Sequence, residues 1–200
     1  MIRRALTIGA GAGLFLWPGL AQAHLMTTGL GPVYDGISHL FLTFDDLIPV
    51  VAMAVLAGLN GPAAGRRVLL ALPVAWLAGG LAGFSWKAPL LPPGVTAVSF
   101  LVVGGLVALD GRLSPKVVAG LALALGLVHG WLNGAGIAEA SREALGVVGI
   151  VGAIFVLTAV VSAWVVSLRR PWSRVVARVA GSWTAAIGLL MLGWTLSGRS

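Results

Sequence analysis

Residues 144–168 read ALGVVGIVGAIFVLTAVVSAWVVSL, and no Asp, Glu, Lys or Arg interrupts them. A helix needs roughly 20 mostly apolar residues to cross the hydrocarbon core of a bilayer. This stretch is long enough to do so alone. Working outward from it, further apolar segments lie at 36–59, 67–84, 95–109, 117–137 and 175–196. The 95–109 segment is short, so its ends are expected to reach into the flanking loops. The remaining composition agrees: of 200 residues, 58% are hydrophobic and 10% charged, with 29 glycines and no cysteine. Soluble domains carry about 25% charged residues. Such a chain is not disordered, not a disulfide scaffold and not a zinc–thiolate protein. The fold class is an all-α polytopic membrane protein.

The first residues have the pattern of an export signal. Arg3 and Arg4 precede an apolar run from Ala5 to Trp17, Pro18-Gly19 breaks it, and Ala21-Gln22-Ala23 follows. A basic start, a short apolar stretch and an A-x-A site describe a secretory signal peptide. Cleavage after Ala23 divides the chain into a 1–23 leader and a single domain, 24–200, of six transmembrane helices. The mature chain would begin with His24, whose α-amine and imidazole are both metal ligands.

The net charge of +7 is a topology signal and not the footprint of a nucleic acid, because the basic residues cluster between apolar segments. The loops at 60–66, 110–116 and 169–174, with the helix end beside each, hold Arg66, Arg67, Arg112, Lys116, Arg169, Arg170, Arg174 and Arg178. The opposite side holds Lys87, Arg142 and Arg199. The positive-inside rule puts the first group in the cytoplasm and the mature N-terminus outside, in a bacterial inner membrane. No loop is long enough for a soluble catalytic domain, and no P-loop, G-x-S-x-G, H-E-x-x-H or thiol nucleophile occurs. The chain is not expected to be an enzyme.

Two stripes of small residues, Gly126, Gly130 and Gly134 in one segment and Ala75, Gly79 and Gly83 in another, are spaced for close helix packing in lipid. Pro49 and Pro73 are expected to kink the first and second segments.

Ionisable residues at membrane depth are costly and mark function. In the first segment, a continuous helix places Asp35, His39 and Asp46 within about 40° of one another, with Met53 continuing the stripe. Asp45 lies to one side, and Pro49 spares its carbonyl a helical donor. Two carboxylates, an imidazole and a thioether suit a divalent transition metal. In the fourth segment His129 and Asn133 are four residues apart on one face, beside the glycine stripe, and should point inward.

These residues carry a resemblance. Gly31-Pro32-Val33-Tyr34-Asp35-Gly36-Ile37-Ser38-His39, Asp45-Asp46-Leu47-Ile48-Pro49 and Leu56-Ala57-Gly58-Leu59, with Gly126-Leu127-Val128-His129-Gly130 and Asn133-Gly134, resemble the HupE/UreJ family of nickel and cobalt permeases. His39 is followed by Leu40 and no Asp-His pair occurs, which makes the sequence similar to the UreJ-type branch. The resemblance implies a permease with nickel or cobalt as transported substrate, no permanent cofactor, and a link to hydrogenase or urease maturation proteins. It implies that His39 and Asp46 handle the metal, with Asp35 supporting; His129 would complete or gate the site. Two other functions fit parts of the pattern. One is a haem-binding electron carrier with His39 and His129 as axial ligands, the glycines beside His129 admitting the macrocycle. The other is a non-transporting assembly partner of a metalloenzyme.

Overall fold

The structure is a computed structural model that describes residues 28–86, 92, 94–140, 143–168 and 170–198. The leader, His24, Lys87, Arg142, Arg169 and Arg199 lie outside the described residues. Among those described there are seven helices and no strand: α1 Pro32–Leu42, α2 Phe44–Leu59, α3 Pro62–Trp86, α4 Gly94–Ala108, α5 Pro115–Ala140, α6 Leu145–Ser167 and α7 Pro171–Leu196. Four of them start on proline, whose fixed φ and missing N–H suit a helix's first residue.

Helices α3, α5, α6 and α7 are long and apolar enough to cross a membrane, whereas α4 is a shorter apolar helix. The first apolar segment is not one helix. It is α1 and α2 joined at an angle of 77°. The bend sits at Thr43, which is extended (φ −97°, ψ 91°), and not at Pro49. Pro49 lies inside α2, and α3 likewise continues through Pro73. The bend ends the continuous stripe expected from Asp35 to Met53, because the residues before and after Thr43 are on differently directed helices.

α2 is the hub of the bundle and packs against each of the other six helices. Its Val50, Met53, Ala54, Leu56 and Ala57 are completely buried. Met53 therefore belongs to the apolar core together with Leu40, Val68, Leu72 and Ile150.

The glycine stripes are the seam between α3 and α5. A Cβ on Gly126 would stand 2.7 Å from the Leu72 carbonyl oxygen and 2.8 Å from the Ala75 Cβ. Gly79 and Gly83 meet the α5 backbone at Leu127 and Trp131, while Gly130 and Gly134 meet the α3 backbone at Trp76 and Gly80. The contacts advance together along both helices, so α3 and α5 run in the same direction. Backbones this close leave dispersion as the dominant attraction, which lipid cannot replace.

Candidate functional site

The α3–α5 seam points His129 and Asn133 toward the start of α2. His129 is 1% and Asn133 8% exposed, and Asp46, in the first turn of α2, is 4% exposed. The three side chains form one cluster. His129 Nδ1 lies 2.8 Å from Asp46 Oδ1. A carboxylate only accepts, so the ring N–H at Nδ1 donates to it. Asn133 Nδ2 donates to Asp46 Oδ2 at 2.8 Å and to the His129 carbonyl at 3.1 Å. Both Asp46 oxygens are thus held, as a buried carboxylate requires. The acidic first turn of α2 also faces its positive helix end.

Three buried side-chain atoms around His129 have no hydrogen-bond partner among the described residues: His129 Nε2, Asn133 Oδ1 and Trp76 Nε1. With Nδ1 protonated, Nε2 carries a lone pair, and the amide oxygen carries two. The Trp76 ring, on α3, stands 5.6 Å from the imidazole. A buried polar atom left without a partner costs roughly 1–3 kcal/mol. Of these three, His129 Nε2 and Asn133 Oδ1 are acceptors and the Trp76 indole N–H is a donor. A carboxylate on one imidazole nitrogen with the other nitrogen free is the arrangement that orients histidine for metal ligation.

A cavity of about 260 Å³ opens onto this cluster, with Asp46 and Asn133 in its wall beside His39, Thr43, Asp45 and Thr96. His39 is half-buried and Asp45 exposed. The Thr43 bend creates this convergence, because it turns α1 so that His39 faces the same cavity as the first turn of α2. Gly36 seats α1 directly against the α6 backbone at Gly146. Among the described residues no three His, Asp or Glu side chains converge closely enough to hold an ion together.

The structure separates the remaining sequence candidates. Asp35 accepts hydrogen bonds from the Thr28 backbone N–H at 2.5 Å and from its hydroxyl at 2.6 Å, at the start of α1. It does not line the cavity, and neither does Met53. Trp76 and Thr96 are participants that no sequence pattern singled out, since an apolar-segment Trp or Thr looks like any other. The haem arrangement loses its physical basis. The glycines beside His129 are filled by the α3 backbone, leaving no room for a macrocycle there.

A family model described as HupE / UreJ protein matches residues 12–191. The chain belongs to the HupE/UreJ family. Membership brings a general role in nickel or cobalt transport or in metalloenzyme maturation, and a membrane transporter-type architecture. No curated protein and no solved structure matches the chain.

Proposed function

We propose that this HupE/UreJ protein is a permease that admits nickel or cobalt ions through a bacterial inner membrane and supplies hydrogenase or urease maturation. In this reading α1–α2 together, α3, α4, α5, α6 and α7 make six crossings. The 1–23 leader is removed, and the mature N-terminus with His24 faces outside as a first ligand.

The observation that carries the reading is the buried Asp46–His129–Asn133 cluster beneath a cavity lined by His39 and Asp45. His39 and Asp45 collect the ion at the cavity. Asp46 receives it through carboxylate lone pairs that His129 and Asn133 leave free. His129 Nε2 and the Asn133 amide oxygen then take it inward. Asp35 supports the entrance by tying Thr28 to α1. Nitrogen and oxygen donors of this kind suit nickel and cobalt, and the buried thioether of Met53 stays outside the donor set. Successive incomplete sites favour passage, because one closed cage would trap the ion.

Flux of radioactive nickel into sealed proteoliposomes tests this. The wild-type chain is expected to load the vesicles, and His129→Ala, at equal abundance, to lose at least about tenfold in initial rate, as removal of a metal-orienting residue does. A wild-type chain that binds nickel without flux would reject the permease and favour the assembly partner.

A further inference from the structure

The end of the bundle opposite the Asp46 cluster carries charge with no internal answer. Of the six acidic residues, Asp110 is the one at this end, and Arg174 consumes it with hydrogen bonds of 2.6 and 3.0 Å. Arg178 donates to the Ala108 carbonyl at 3.0 Å. Arg66 and Arg67, in the first two turns of α3, are exposed and have no ion-pair or hydrogen-bond partner among the described residues.

Arg66 and Arg67 border an open groove of about 580 Å³ along α3, which Ala119 of α5 bounds on one side. Its remaining wall is apolar. Leu70 and Val74 are 62% and 61% exposed, and Ala63 and Ala119 are small enough to keep it open. Lys116 stands one turn before Ala119 on α5. The groove therefore has a doubly cationic end and an apolar flank running along α3, with Ala119 of α5 at its edge. A soluble anion would use the first feature and leave the second idle. A neutral lipid would do the reverse.

We propose that this groove is a binding site for an anionic phospholipid. Its phosphate is held by Arg66 and Arg67, and one acyl chain lies on Leu70 and Val74. Guanidinium forks match phosphate oxygens in pairs, and basic pockets between membrane helices take anionic headgroups for this reason. The bound lipid neutralises the arginines and covers the exposed leucine and valine, splinting the end of the seam that positions His129.

The test uses the full-length protein, purified in neutral detergent and titrated with phosphatidylglycerol or phosphatidylcholine, bound lipid being counted by native mass spectrometry. Phosphatidylglycerol is expected to remain bound and phosphatidylcholine to be lost. Arg66→Gln with Arg67→Gln should weaken the phosphatidylglycerol complex roughly thirtyfold, at about 1 kcal/mol per basic residue. Ala119→Trp keeps both charges and fills the groove, so it should weaken binding as well. It also keeps the test meaningful should the arginine variant prove unstable. Arg174→Gln, whose partner is Asp110, should bind as the wild type does. Equal retention of the two lipids, full binding by both groove variants, or displacement of the lipid by millimolar inorganic phosphate would each overturn the proposal.

Discussion

The α3–α5 and α4–α7 helix pairs are joined by the same device and put it to different use. In the second pair a Cβ on Gly104 would stand 2.6 Å from the Ala185 nitrogen, and one on Gly188 2.6 Å from the Leu101 nitrogen. Both seams press backbone on backbone. The α3–α5 seam, however, is packed against α6 as well as α2, whereas the α4–α7 pair meets the rest of the bundle chiefly through α2. Only the first encloses His129 and Asn133. The second ends in Asp110 and Arg174, a partly exposed pair. Close glycine packing is thus a scaffold in both, and chemistry resides where it confines polar groups that could not otherwise stay in lipid.

The strongest way to break this contrast is to overfill each seam. Gly130→Leu drives a side chain into the α3 backbone between Trp76 and Gly80. It should abolish both a monodisperse size-exclusion peak and nickel uptake. Gly104→Leu meets the α7 backbone just as closely, but α7 has lipid on its far side and can tilt away. A folded protein with lowered thermal stability and measurable uptake is expected. Equal damage from the two would erase the distinction.

A smaller effect concerns Thr158 on α6, which is completely buried with its hydroxyl unpartnered among the described residues. Thr158→Val keeps the shape and removes a polar group whose burial costs roughly 1–3 kcal/mol. The melting temperature in detergent should rise, by about 2–4 °C for each kcal/mol in a chain of this size. An unchanged or lower midpoint would show that the hydroxyl is satisfied in solution.

How much of this was legible in the sequence depends on the range of the interaction. The apolar segments and the i, i+4 placement of His129 and Asn133 follow from local periodicity. The small residues repeated every four positions in both α3 and α5 marked each for close packing. That the two pack on each other is shown by the tertiary structure alone. The α4–α7 seam leaves no such mark, because α4 contributes Gly104 while Gly181 and Gly188 stand two turns apart. Thr43 has neither proline nor glycine chemistry, so the bend that brings His39 to the cavity had no local signal, and Pro49 drew attention to the wrong place. The link between Asp46 and His129 spans 83 residues and is set by tertiary packing alone. Sequence order therefore suggested His39 with Asp46 as the central pair, whereas the structure joins Asp46 to His129.

The least effect is expected at the end of the α4–α7 pair. The Arg174 guanidinium hydrogen-bonded to Asp110 holds that carboxyl below its ordinary range. A depressed carboxyl pKa stabilises the folded state above the unfolded value near roughly 4, and the contribution is lost as pH falls through the lower folded value. Asp110→Asn should therefore lower the neutral-pH melting temperature slightly, since exposed pairs contribute about 0–1 kcal/mol. The difference from wild type should vanish under acid, with nickel uptake unaltered throughout. A large uptake defect would give the second pair a functional role that its packing does not suggest.

The central claim is that Asp46 and His129 act as one unit. A double-mutant cycle in proteoliposomes measures this directly, from initial nickel uptake by Asp46→Asn, His129→Ala and the double variant at matched abundance. Residues acting as a unit are strongly non-additive. The double variant is predicted to be no slower than the worse single variant, with each single variant at least about tenfold below wild type. Losses that multiply in the double variant, or a wild-type rate in either single variant, would contradict the account.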